Sequence, residues 1–289
     1  MKRSMIHISE EECTACGLCA QICHEHCIQL VQSTSKTVPE INHATCSSCS
    51  QCIAICPRQA LSWHGNAPIR FDRGNLPLVV QMEELLKERR TIRRFKPQPI
   101  DRATLTKLAE IGKCAPTNNY DLGLILVDDP NIMRQMDEII MREVRWLHKM
   151  FFRFDVIFNL LSKVTPKVEP RVRAKLEHGV RAGTSMPTLP AVIALIVGDR
   201  RVVLSEISAH YALYTMILYA QTLGIGSRIN ASGTLNLDRS KAMRKLLKIG
   251  PRERILAMVE MGYPAVRFSN KVEGRSLPIQ WNGGRSHER

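Results

Sequence analysis

Past position 78, apolar residues recur at helical spacing or gather into short unbroken runs, which predicts long helices around a few buried strands. Met82, Leu85 and Leu86 share one face of a helix that should end near Arg90. Asp101 can cap a second helix, whose apolar positions include Leu105, Leu108 and Ile111. The runs Leu122 to Val127, Ala191 to Val197 and Ile255 to Met261 read as strands, and His210 to Leu223 as a long, mostly apolar helix. Residues 64–78, HGNAPIRFDRGNLPL, mix Gly, Pro and Asn without a helical period and read as a linker. Ahead of it, residues 1–63 are organised by cysteine and not by apolar period.

Eight of the ten cysteines fall into two copies of one pattern, Cys13-x-x-Cys16-x-x-Cys19-x-x-x-Cys23 and Cys46-x-x-Cys49-x-x-Cys52-x-x-x-Cys56-Pro57. Thiolates two residues apart in a tight loop can converge on one inorganic cluster, while the fourth cysteine points to a neighbouring cluster. The repeat therefore implies two 4Fe-4S centres with crossed ligation: Cys13, Cys16, Cys19 and Cys56 on one, Cys46, Cys49, Cys52 and Cys23 on the other. Disulfides fit poorly with an Ile-, Leu- and Val-rich body, and structural zinc uses separated Cys pairs in place of triplets. Cys27 reads as a small buried residue beneath a cluster, with a substitute ligand or a redox-active thiol as alternatives. His24 and His26 read as surface groups.

These sixty-odd residues, through ECTACGLCAQIC and TCSSCSQCIAICPRQAL, resemble the bacterial two-cluster ferredoxins, which implies a compact pseudo-symmetric unit that passes single electrons. The first copy departs from the family by carrying His24 where proline commonly follows the fourth ligand.

Charge is divided unevenly. Residues 1–65 hold four Lys or Arg against five Glu, so the net +14 of the 289-residue chain leaves +15 on the remainder. No zinc-finger, helix-turn-helix or aromatic single-strand motif accompanies that excess, so nucleic acid is not the expected partner. An anionic cofactor, an acidic redox protein or an anionic membrane surface suits it better. No apolar run approaches the length needed to span a bilayer; the expectation is a cytoplasmic protein without membrane contact.

Three separated motifs of the second part resemble the nitroreductase family of flavoproteins. ERRTIRRF, Glu88 to Phe95, matches the family's Arg-Arg-Ser-x-Arg-x-Phe, with Thr91 for Ser; guanidinium groups suit phosphate oxygens whatever the family. CAPTNNY, Cys114 to Tyr120, follows the Asp101 helix. LGIGSR, Leu223 to Arg228, and EMGYP, Glu260 to Pro264, close the long helix and the last strand, and Arg228-Ile229-Asn230 stands where the family usually has Trp. The resemblance implies an α+β class: a small ferredoxin-like two-cluster domain (1–63), a linker (64–78), and a nitroreductase-like α/β sandwich (79–289) that forms a homodimer with FMN in interfacial pockets. It implies that Arg89, Arg90, Thr91, Arg93 and Arg275 meet the FMN phosphate, that Pro116, Thr117 and Asn118 approach the flavin from the opposite subunit, and that Ser232 and Gly233 offer backbone donors near its ring. No side chain is nominated as acid or base, because the reacting atom would be flavin N5; Asn119 and Tyr120 could donate to a substrate oxygen.

Residues 131–189, with Trp146, Phe151, Phe152, Phe154 and Phe158 among Arg145, Lys149 and Arg153, read as dimer packing, a helical lid or an anionic-lipid contact. The implied function is an iron-sulfur flavoprotein oxidoreductase. Electrons from a low-potential donor such as ferredoxin or flavodoxin would pass through both clusters to FMN, which would reduce a nitro, quinone, enone or related small molecule. An electron-transfer or redox-sensing protein, and an NAD(P)H-driven nitroreductase with accessory clusters, are the competing readings.

Overall fold

The computed structural model describes residues 6–33, 36–116, 122–152, 170–202, 204–230, 238–272 and 277–281. Its first part is a duplicated unit of strands β1 (Ile6–Ile8), β2 (Ile28–Gln32), β3 (Thr37–Ile41) and β4 (Leu61–Trp63) with short helices α1 (Leu18–Ile22) and α2 (Gln51–Ile55). A shift of 33 positions, as from Cys13 to Cys46, maps one half onto the other. The left-handed residues obey it: Ala15 (φ 55°) with Ser48 (φ 61°), Gly17 (φ 76°) with Ser50 (φ 62°), and His26 (φ 50°) with Gln59 (φ 55°). Each half lends a strand to the other. β1 pairs antiparallel with β4 through Ile6 to Trp63 and Ile8 to Leu61, and β3 pairs with β2 in the matching register, Pro39 to Leu30 and Ile41 to Ile28. Ile6, Ile28, Ile41, Ile53 and Leu61 bury a small core that also takes in Cys19, Cys27 and Cys52.

After a 3-10 turn at Arg73–Asn75 come α3 (Val79–Glu88), α4 (Arg102–Gly112), β5 (Leu122–Val127), α5 (Pro130–Leu147), α6 (Pro170–Ala182), β6 (Val192–Asp199), α7 (Ser205–Thr222), β7 (Gly226–Ile229), α8 (Lys241–Leu246) and β8 (Glu253–Gly262). The sheet is antiparallel in the order β5-β6-β8-β7. Its two inner strands are, Glu260 of β8 apart, apolar on both faces in their buried stretches because helices cover both. Leu105 and Leu108 of α4 and Leu213, Met216 and Ile217 of α7 pack on one side. Met133, Met136 and Ile140 of α5 and Met243 of α8 pack on the other.

Local rules set several boundaries. Asp101 accepts the Thr104 amide at 2.8 Å and so caps α4. Asp129 accepts from Asn131, and Pro130 opens α5. The apolar face expected on α3 is not buried: Met82 and Leu86 are exposed and Leu85 is half-buried, because the packing surface α3 shares with α7 is small. α5 continues into a π-helical turn, His148–Phe152. Residues 153–169, with Arg153, Phe154 and Phe158, lie outside the described residues.

Candidate cofactor sites

In each half of the duplicated unit a loop with two left-handed residues turns the chain around its cysteines, of which Cys16 and Cys49 stay exposed, and a one-turn helix presents the third, Cys19 or Cys52, to the core. The amide of Ala15 points at Cys13 Sγ (3.5 Å) and that of Ser48 at Cys46 Sγ (3.4 Å), the contacts that stabilise a thiolate. The exchange of strands then decides the fourth position. β4 returns the chain alongside β1, fixed by the bond from Ser9 N to the Ala60 carbonyl (2.8 Å), so that Cys56 arrives at the first loop and not its own. Cys13, Cys16, Cys19 and Cys56 line one open cavity. The equivalent bond from Asn42 N to the Cys27 carbonyl (2.8 Å) carries Cys23 towards the second loop. Cys27 Sγ lies 3.4 Å from Cys23 Sγ and also within hydrogen-bonding reach of Cys46.

Among the described residues no three His, Cys, Asp or Glu side chains close around a single metal ion. The four thiols surround a volume, which suits a larger inorganic group. Burial pushes the Cys19 thiol up, pushes Cys52 up to about 12, and pushes Cys27, which also bonds Cys23, up to about 12. A thiolate at Cys19 or Cys52 therefore needs positive charge beside it, as bound iron would supply.

The second site is assembled from distant segments. Arg89 closes α3, and Arg90 Nη1 donates back to the Lys87 (2.7 Å) and Arg89 (2.8 Å) carbonyls, capping that helix end. The chain then runs beside β7: Thr91 bridges Ser227 in parallel, and Ile92 N donates to the Ser227 carbonyl at 2.9 Å. Phe95 bridges Pro264, and Lys96 N reaches the Tyr263 carbonyl at 2.8 Å. ERRTIRRF, LGIGSR and EMGYP thus meet along one edge of the sheet. Two glycines permit the approach. A Cβ on Gly226 would stand 2.4 Å from Ile92 Cγ1, and one on Gly262 would stand 3.0 Å from both the Phe95 ring and Ala191 N. Arg89, Arg90 and Thr91 are half-buried and Arg93 is exposed, its carbonyl held by Thr188 Oγ1 at 3.0 Å.

The chain matches the nitroreductase family over residues 86–263, a stretch that contains the whole sheet and, Pro264 excepted, all three motifs. The chain belongs to the nitroreductase family. Two solved structures share the nitroreductase fold: a nitroreductase with bound FMN from Bacteroides fragilis NCTC 9343 (17% identity, 70% of this chain and 99% of that one, TM-score 0.53) and another with bound FMN from Desulfitobacterium hafniense DCB-2 (15% identity, 68% and 97%, TM-score 0.52). A curated relative, an NADPH-dependent oxidoreductase of Staphylococcus epidermidis (strain ATCC 35984), is 38% identical over 58 residues, 19% of this chain. That match spans 23% of the relative's length.

Of the other residues the nitroreductase motifs nominate, Pro116 is exposed just beyond α4. Thr117, Asn118, Asn119, Tyr120, Ser232, Gly233 and Arg275 lie outside the described residues. Sequence reasoning missed a charged pair on the adjoining strands. Arg228 of β7 faces Glu260 of β8 across the ladder, the two are ion-paired, and Asn230 Nδ2 donates to Glu260 Oε1 at 3.2 Å. Glu260 is fully buried, and Arg228 Nε is buried with no hydrogen-bond partner. Burial pushes the Glu260 carboxyl up and Arg228 pulls it back, with Asp137 of α5 adding a smaller push upward. Asp137 itself holds the Thr184 hydroxyl (2.6 Å) and the Ser185 amide (2.8 Å).

Proposed function

We propose that the chain is an iron-sulfur flavoprotein oxidoreductase, with two 4Fe-4S clusters in residues 1–63, a linker at 64–78 and FMN in residues 79–289. The observation that carries the reading is the strand exchange, which brings Cys56 to the cavity of the first triplet and Cys23 to the side of the second. That is the sharing of ligands expected of two clusters in a duplicated unit. When bound, the clusters would supply single electrons and FMN the paired chemistry that reduces a nitro, quinone or enone group. Cys13, Cys16, Cys19 and Cys56 hold one cluster; Cys46, Cys49, Cys52 and Cys23 hold the other.

In the flavin half, Arg89, Thr91 and Arg93 bind the FMN phosphate, together with Arg275. Arg90 has a double task, since one of its amino groups already ends α3. Thr117 and Asn118 beyond Pro116 approach the flavin of the other subunit, and Ser232 and Gly233 offer it backbone amides. Support for a homodimer comes from α7. Its inward face fills the core, yet Leu204, Ile207, Tyr211 and Tyr214 form an exposed apolar stripe at spacings of three and four. A second copy of the chain would cover it. No described helix is long and apolar enough to cross a membrane.

The donor is a low-potential redox protein such as ferredoxin or flavodoxin, steered by the basic second part. The curated relative's name favours one other reading, in which NADPH reduces the flavin directly and the clusters are accessory. Anaerobic purification tests the proposal: about eight iron atoms, with one FMN per chain, are expected from two cubane clusters and one phosphate site. Iron near half that value would remove one cluster, and a dimer lacking FMN would remove the flavin assignment.

A further inference from the structure

One buried difference between the halves of the 33-position repeat puts a thiol where the other half has a methyl group. Ala60, 2% exposed, packs beneath the first cavity, and its amide donates to Cys56 Sγ at 3.3 Å. The matching residue of the other half is Cys27, 5% exposed, whose Sγ lies 3.4 Å from Cys23 Sγ and within reach of Cys46. Both neighbours belong to the second cysteine set. Where a methyl group sits under the first centre, a thiol therefore touches two sulfurs of the second.

If Cys23 binds iron it is a thiolate and carries no proton. The 3.4 Å contact between the two sulfurs then has one donor, the Cys27 thiol, which stands outside both ligand patterns. We propose that Cys27 is a hydrogen-bond donor to the ligand sulfur of Cys23 and raises the reduction potential of the second centre alone. The inference rests on the two-cluster reading. Reduction adds negative charge that spreads onto the cluster sulfurs, so a donor aimed at one of them favours the reduced form. Ala60 has no proton to give, and the first centre lacks this contribution.

The charged difference beside the first cavity works through solvent. Arg58 lines the first cavity and Glu25 takes its place in the other half, a substitution that would favour reduction of the first centre. Yet the Arg58 side chain is 58% exposed and pairs with Glu12 at 3.4 Å, and Glu25 is exposed as well. Water and salt screen such charges, whereas the Cys27 contact is buried and direct.

The test is an anaerobic redox titration of the full-length holoprotein followed by electron paramagnetic resonance, for wild type, Cys27→Ala and Cys27→Ser. The signal that survives in Cys56→Ser identifies the second centre. With full iron retained, Cys27→Ala should shift the second centre to a more negative potential and leave the first unmoved. Cys27→Ser, whose hydroxyl can still donate, should stay close to wild type. Unmoved potentials in Cys27→Ala, or an equal shift of both centres, would overturn the assignment. Loss of half the iron in both variants would also overturn it, by making Cys27 a ligand. A wild-type protein without two centres would instead refute the underlying cluster reading, so the two failures are distinguishable.

Discussion

Gly226 holds the arginine segment against the sheet, and its replacement gives a quantitative test of how the flavin site is built. A Cβ at this position would lie 2.4 Å from Ile92 Cγ1 and 2.9 Å from Pro264 Cγ. Ile92 cannot step aside cheaply, since it is buried and its amide is bonded to the Ser227 carbonyl at 2.9 Å. Overpacking costs about 1–3 kcal/mol, and a contact this short belongs near the top of that range. Alanine's restriction of the unfolded chain offsets about 0.5 kcal/mol, leaving a net loss of about 2 kcal/mol for Gly226→Ala. In a domain of 150–250 residues that lowers Tm by about 4–8 °C. Ile92→Ala alone should cost about 2–5 kcal/mol through its cavity. In the double variant the new methyl group enters the vacated space, so the combined loss should fall short of the sum by about 1 kcal/mol or more. Urea unfolding of the four proteins measures the cycle, and FMN titration of the same samples should show weaker binding in Gly226→Ala. Losses that add to within about 0.5 kcal/mol would refute the packing argument.

Two further outcomes follow from the same edge of the sheet. Arg228→Met should cost about 3–5 kcal/mol at pH 8, because it strands the buried Glu260 carboxylate. Glu260 titrates above the ordinary glutamate value, so its contribution to stability is present below that value and is lost as pH rises through the raised one. The deficit of Arg228→Met should therefore shrink in melts at pH 5, and Glu260→Gln should gain on wild type as pH rises; a pH-independent deficit would contradict this. Arg93→Ala should weaken FMN binding about tenfold to hundredfold, the loss of one charge-assisted bond of about 1.5–3 kcal/mol. Arg142→Ala, which removes an exposed arginine of α5, should leave binding nearly unchanged; equal losses in isothermal titration would mean general electrostatics in place of a phosphate site.

The parts legible in the sequence are those whose partners are implied by local pattern. β5 spans Leu122–Val127 as expected, and β6 and β8 fall within two residues of expectation, because a strand covered on both faces is a plain apolar run. α7 begins five residues before His210, since Ser205 and Ser208 are polar in type yet buried. β7 was hidden: four residues, Gly226–Ile229, become a strand only through pairing with β8 and with Thr91, contacts made far along the chain. The Arg228–Glu260 pair left half a signal. A glutamate between Val259 and Met261 in a buried run demands a counter-charge, but only strand pairing names Arg228. On α3 the expected helix forms, yet Met82 and Leu86 of its apolar face stay exposed. The cysteine arrangement was the most legible feature. Its repeat gives the spacing and the symmetry, and the exchanged strands supply the physical reason why Cys56 lines the first cavity.

The most direct test of the account is the rate at which FMN in the full-length protein is reduced by a low-potential protein donor, compared between wild type and Cys56→Ser under anaerobic conditions. Cys56→Ser removes the proposed fourth ligand of the first cavity, whose lining contains no residue beyond Leu61. The account predicts that FMN reduction by reduced ferredoxin or flavodoxin collapses in this variant, while FMN content and reduction by dithionite persist. If NADPH reduces the flavin of both proteins at the same rate, and faster than the protein donor does, the clusters are not the path by which electrons reach FMN.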